Sequence, residues 1–129
     1  EKFRNSIYMS AVCRCYPGKN AKGSGDRVPT ELEIKKCAKW LNFEIEKLKP
    51  KLIIPVGKLA ISQFLVFDKL NEVVGKKIVY SKNNYKIDIV SLPHPSGLST
   101  WYKKDPGKKL LRDALEIIKK NYYWQLLLQ

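Results

Sequence analysis

The chain has 129 residues, a length suited to one domain, and its 44% hydrophobic and 11% aromatic content is enough to fill a core, which excludes a disordered tail. Lys and Arg outnumber Asp and Glu by 25 to 12, a formal charge of +13; such a surplus is either a solvated lysine surface or an attractor of polyanions, and counterion release puts nucleic acid first among partners. No apolar run approaches the ~18 residues of a spanning helix, no signal-peptide pattern opens the chain, and three cysteines without one argue against a disulfide framework.

The expected setting is therefore cytoplasm or nucleoid, with no membrane partner. Ile7 to Val12 reads as a short, mostly apolar strand, ending at Cys13-Arg14-Cys15-Tyr16-Pro17-Gly18-Lys19 and followed by a polar, glycine-containing loop to Asp26. Thr30-Glu31-Leu32-Glu33 predicts a capping box opening a helix that runs to Leu48, with Ile34, Cys37, Ala38, Leu41, Ile45 and Leu48 on one stripe. Lys49-Pro50 stops it. Lys51 to Gly57 is an apolar run suited to a strand buried on both faces, although Pro55 argues against full pairing at its centre. Gly57-Lys58 then leads into a second helix, Leu59 to Leu65.

Asn83-Asn84 predicts a turn between a short extended piece, Ile78 to Tyr80, and a longer strand, Tyr85 to Leu92. Asp105-Pro106 predicts the start of a helix to Lys120, with Pro106 at its first position. The apolar tail Tyr122 to Leu128 calls for a surface to lie on. Strands alternating with helices predict an α/β fold, a three-layer αβα sandwich with a mainly parallel central sheet. Only three strong strands are present and the chain opens on one of them, so the sandwich is expected to be missing its N-terminal strand.

Leu92-Pro93-His94-Pro95-Ser96-Gly97-Leu98-Ser99-Thr100-Trp101 is the stretch that carries most chemistry. It leaves a strand, holds the only histidine, and is stiffened by two prolines; its hydroxyls and amides suit phosphate oxygens. A leucine at a loop tip is costly unless something apolar receives it, such as a gap in a base stack. The alternative is a rigid strand-to-helix loop with a buried, hydrogen-bonded histidine. Gly57-Lys58 at a helix start is open to two readings, a phosphate contact or a tight turn. Cys37 lies on the apolar stripe of its helix and reads equally as a small buried hydrophobe. Lys19, Lys22, Arg27, Lys103 and Lys104 cluster beside the two loops, with Trp101 and Tyr102 interleaved.

His94 to Ser99 resembles the HPSPLS motif of uracil-DNA glycosylases, with Gly97 in place of the second proline. Tyr8 to Gly18 resembles the strand and Pro-rich loop of the iron-sulfur-containing branch of that superfamily, where a VVKCRPPGNR…PTPEE…C pattern recurs; Pro29-Thr30-Glu31 stands at the PTPEE place. Lys49 to Ala60 is similar to that branch's LRPRVIVALGRxA segment. The matches keep their order over residues 7 to 101, most of the chain, and the branch's broad-specificity relatives share them. Three departures stand out. The superfamily's first motif, a GxxPG-type loop with the water-activating acid or amide, does not occur in these residues, Ala11 replaces a uracil-reading asparagine, and about six extra residues, Ala21 to Asp26, lengthen the first loop.

The resemblance implies a monofunctional DNA glycosylase of base excision repair, acting as a monomer on uracil-containing or damaged DNA. His94 would contact the base's carbonyl oxygen and Leu98 would enter the duplex where the base has left. Pro17, Gly18, Lys19, Gly57, Lys58, Pro95, Ser96, Gly97 and Ser99 would join Leu98 in holding DNA. Cys15 and Cys37 would be two ligands of a 4Fe-4S cluster, which three cysteines cannot complete alone, leaving Cys13 as the spare. Two rivals remain: a non-catalytic DNA-binding relative or fragment of the same fold, and a nucleotide-binding α/β domain using the Gly57 turn.

Overall fold

Asn83 and Asn84, both at positive φ (45° and 66°), turn the chain back on itself and pair Lys77–Lys82 (β2) with Tyr85–Val90 (β3) as an antiparallel hairpin. Asparagine is tolerated there because its short polar side chain accepts the left-handed region that other residues avoid. Leu52–Ile53 (β1) lies parallel to the other side of β3, giving the order β1-β3-β2. The computed structural model describes residues 2–97 and 99–129. Its helices are Lys2–Ser6 (α1), Glu31–Leu48 (α2), Lys58–Ile61 (α3), Gly107–Lys120 (α4) and Tyr122–Leu128 (α5), and the chain divides into two compact units, residues 1–8 with 50–129, and residues 9–49.

In the first unit β3 is the central strand and the most deeply buried. Ile87, Ile89 and Val90 are fully buried, and since successive side chains alternate in direction, both faces of β3 are covered at its C-terminal end. Val90 joins Ile61, Leu70, Val73, Val74, Ala114 and Ile118 in one cluster, so α4 lies against the sheet through the stripe Leu110, Ala114, Ile117 and Ile118. On the same face of β3 as Val90, Asp88 accepts a hydrogen bond from the Asn121 side chain (2.9 Å) and pairs with Lys77 (3.6 Å). The Asn121 side-chain oxygen also caps α5, accepting from the Tyr123 and Trp124 amides. One residue thereby ties the tail to the sheet, and Trp124 meets Phe3 of α1 edge-on at 6.2 Å.

The second unit is organised around the start of α2. Thr30 and Glu33 form the expected capping box, and Arg27 grips the Glu33 carboxylate with both terminal nitrogens (2.8 and 2.6 Å). The Arg27 fork, followed by the Thr30 backbone amide, lowers the Glu33 carboxyl to about 2. Lys49 closes the helix in the left-handed conformation (φ 45°), one residue ahead of Pro50.

Several expectations need correction. The sheet is mixed rather than mainly parallel: the antiparallel hairpin supplies six of its pairs and the parallel contact two, because the Asn83-Asn84 turn makes the extended piece before β3 a full strand. The run 7–12 is not a strand; helix α1 precedes it, Met9 is 89% exposed, and no described strand takes it as a neighbour. A short apolar run becomes a strand only where a partner receives its ladder bonds. The strand expected over Lys51 to Gly57 shrinks to β1 plus an isolated pair, Val56 with Leu92, and Leu52, Ile53 and Ile54 are half-buried. The helix expected from Leu59 to Leu65 ends at Ile61, and Pro106 stands at the N-cap of α4, one residue before its first turn.

Candidate active site

The strands β1 and β3 run parallel, so their C-terminal ends lie on one edge of the sheet, where ligands of open α/β sheets are received. Beyond the named strands the pairing continues: Leu92 donates to the Pro55 carbonyl (3.0 Å) and Gly57 donates to the Leu92 carbonyl (2.9 Å). Pro55 has no N–H to give, but its carbonyl is still used, which is how the proline is tolerated in the run. Val74 pairs with Ser91 on the other side. The chain thus leaves the sheet at Pro93, itself buried, from a strand held on both sides.

His94 follows at once and is exposed. Its imidazole lies along the backbone of Gly57: a Cβ placed on Gly57 would sit 3.3 Å from His94 Cδ2 and 3.4 Å from its Cβ. Gly57 also holds φ +86° with ψ 160°, a region open to glycine alone among common residues. Two independent reasons therefore select glycine there, and both serve to bring the two loops together. The Ser96 amide donates to His94 Nδ1 at 3.1 Å. A backbone amide can only donate, so Nδ1 is the unprotonated nitrogen and a neutral ring carries its hydrogen on Nε2.

The rest of the loop is a tight turn. Ser99 donates to the Ser96 carbonyl (3.0 Å), and the Tyr102 hydroxyl reaches the same oxygen at 3.4 Å. Pro95 and Gly97 are exposed, Ser96 and Ser99 half-buried, and Leu98 lies outside the described residues. Trp101 to Lys103 forms a single helical turn whose indole N–H donates to Asn71 Oδ1 at 2.8 Å. Of the expected site residues, His94, Pro95, Ser96, Gly97, Ser99, Gly57 and Lys58 belong to the first unit, and His94 and Gly57 are in direct proximity.

Pro17, Gly18 and Lys19 belong to the second unit. Gly18 (φ +96°) accepts from the Arg27 amide (2.9 Å) and Lys19 pairs with Asp26, so the glycine-rich insertion is a closed, exposed loop. The three cysteines are in the same unit. Burial pushes the Cys13 thiol up, and the neighbouring Cys37, then Glu33 and Cys15, add to it. A 4Fe-4S cluster takes four thiolates; this chain has three cysteines, and among the described residues no group of three or more His, Cys, Asp and Glu side chains is placed to hold a metal ion. The described residues do not by themselves complete such a cluster.

Sequence reasoning missed Lys69 and Asn71, which with Trp101 and Lys104 line an open cavity below the histidine loop. Asn71 and Trp101 are thirty residues apart, and only the fold joins them. No described helix is long and apolar enough to cross a membrane.

The sequence model of the uracil DNA glycosylase superfamily matches residues 2–119. The type-4 uracil-DNA glycosylase of Archaeoglobus fulgidus is 28% identical over 101 residues, covering 74% of this chain and 47% of that protein. That of Saccharolobus solfataricus is 28% identical over 123 residues, covering 90% and 52%. The type-5 uracil-DNA glycosylase of Pyrobaculum aerophilum is 32% identical over 54 residues, 42% of this chain and 21% of that protein. The chain spans about half the length of these type-4 relatives. Because the family match spans residues 2–119, from α1 to the last turn of α4 and across both the Gly57 turn and the histidine loop, the chain belongs to the uracil-DNA glycosylase superfamily.

Proposed function

We propose that residues 1–129 are a glycosylase-like domain that excises uracil, or a related damaged base, from DNA by taking the nucleotide out of the stack and hydrolysing its N-glycosidic bond. The observation that carries this reading is the state of His94: exposed at the C-terminal edge of the sheet, with Nδ1 occupied by the Ser96 amide and its remaining N–H free to donate from Nε2. Both covered faces of β3 are what the three-layer αβα arrangement of such a domain asks for.

The chemistry follows from charge. As the C1′–N bond breaks, its electron pair leaves with the base, and negative charge gathers on the base's carbonyl oxygen while the sugar becomes cationic. A neutral imidazole donating to that oxygen stabilises the charge where it develops, the work of an oxyanion donor. Water adds to C1′ and loses a proton, and the departed base gains one. The group that positions this water is not among the residues that the resemblance maps onto this chain. Leu98 occupies the vacancy left in the duplex, and extrusion costs a few kcal/mol, least for a mismatched base. Backbone amides and hydroxyls from Ser96 to Ser99, in the loop that Pro95 stiffens, hold phosphates with Gly57-Lys58, and in the other unit Pro17-Gly18-Lys19 offers a DNA contact of its own.

The test is excision from single-stranded DNA and from duplex DNA carrying a U·G mismatch. His94→Ala is expected to keep DNA affinity and to lose about 10²-fold or more in excision; unchanged excision removes His94 from the mechanism. A second reading is DNA binding without catalysis, since the group that would position the water is not mapped onto these residues. It predicts that the unaltered chain binds both substrates and cleaves neither.

A further inference from the structure

The cavity beside the histidine loop has a volume of about 600 Å³ and opens to solvent. Its lining residues include three lysines, Lys58, Lys69 and Lys104, with Ser99 and Thr100. Two carboxylates, Asp68 and Asp105, also line it, leaving a formal balance of one positive charge. The wall formed by Trp101 is fixed from two sides. Its indole N–H is held by Asn71 at 2.8 Å, and its carbonyl lies so close to Gly107 that a Cβ there would stand 2.0 Å from the oxygen. Glycine at the start of α4 is what lets the Trp101 turn settle against the helix.

We propose that this cavity seats a phosphodiester of the bound DNA strand, next to the nucleotide engaged by His94; the proposal rests on the DNA-processing reading above and adds Lys69 and Lys104 to it. Ser99 and Thr100 belong both to the cavity wall and to the histidine loop, so a strand held by that loop passes the cavity mouth. Lysines from three separate segments converge on it: Lys58 from α3, Lys69 from the turn before Leu70, and Lys104 from the loop before α4. The near balance of charge also chooses between sources of phosphate. A free phosphate ion gains little from a single net charge in water, whereas a phosphate tethered to a strand already bound arrives at high effective concentration.

The experiment is a salt series of duplex binding by the whole 129-residue chain. Lys69→Ala with Lys104→Ala is expected to flatten the slope of log affinity against log salt by about 1, the loss of one phosphate contact, with a uniform loss across sequences. A comparison pair on other surfaces, Lys86→Ala with Lys120→Ala, is expected to leave the slope nearly unchanged. The Trp101 indole resonance should shift on adding duplex and stay put with inorganic phosphate at equal ionic strength. Equal flattening by both pairs, or none by either, overturns the cavity as a phosphate seat while leaving the His94 mechanism standing. A chain that binds no DNA at all overturns the functional reading and this proposal together.

Discussion

The two units are held by different forces. In the sheet unit Ile61, Val74, Ile87, Ile89 and Val90 are wholly removed from solvent, and the polar contacts, such as Asn121 with Asp88, sit at the margins of that core. In residues 9–49 the one buried hydrophobic side chain among those described is Ile45, while Trp40 and Phe43 of α2 are more than half exposed. Order there comes instead from Arg27 on Glu33, Arg14 and Ser10 on Glu44, and the Thr30 cap. The histidine loop is launched from the first kind of scaffold and the cysteines sit on the second. A loop whose flanks are both locked in a sheet inherits the rigidity of the core; a helix secured by exposed ion pairs inherits their salt and pH sensitivity.

The contrast breaks most visibly under core truncation. Ile89→Ala is expected to cost about 2–5 kcal/mol, through lost transfer energy and the cavity left behind. Trp40→Ala, on an exposed face, is expected to stay within about 0.5 kcal/mol. Urea denaturation followed by far-ultraviolet ellipticity measures both. A Trp40 loss matching that of Ile89 would mean that α2 has a packed face of its own, and the distinction between the units would fail.

This division also explains what was legible in the sequence. The capping box at Thr30, the end of α2 at Lys49, the Asn83-Asn84 hairpin and α4 to Lys120 are local chemistry, and they were readable because three or four consecutive residues decide each. The Gly57 and His94 loops were identified separately, and their meeting follows from parallel pairing that only the fold supplies. The segment 7–12 misled because a short, mostly apolar run does not say whether a partner edge exists. Lys69 and Asn71 carried no local signal at all: an isolated lysine and an asparagine on a short turn become meaningful once Trp101 lies against them.

A smaller effect sharpens the comparison from the sheet side. Gly57→Ala forces a Cβ into a backbone region reserved for glycine and against the His94 ring, and is expected to cost about 1–3 kcal/mol. The histidine ring resonances should move with it, because the loops are packed together. A stability loss without any change at His94 would show that the glycine serves the turn alone.

On the second unit, Thr30→Ala is expected to cost about 1 kcal/mol through the lost cap. The accompanying pH dependence has a definite sign. Glu33 titrates near 2 in the folded chain against an ordinary 4.5, so its contribution is fully present above about 4.5 and is lost as pH falls toward 2. Following the Glu33 side chain and the ellipticity of α2 through that window checks this. Arg27→Ala, which removes the largest cause of the shift, should return the Glu33 midpoint toward 4.5 and narrow the window. If the midpoint stays low in that variant, the Thr30 amide and hydroxyl are sufficient by themselves.

The smallest expected effect lies directly behind the histidine loop. Ser91 is buried at the end of β3, and its hydroxyl has no hydrogen-bond partner among the described residues. An unsatisfied buried hydroxyl costs free energy that an alanine of nearly the same volume does not, so Ser91→Ala is expected to be neutral or to stabilise by up to about 1 kcal/mol. Since Ser91 stands three residues before His94, the same variant asks whether the core beneath the loop is only a platform. Unchanged excision with equal or higher stability would say that it is. A loss of excision without a loss of stability would place the hydroxyl in the support of the histidine, and the sheet unit would then hold a polar contact that matters more than its position in the core implies.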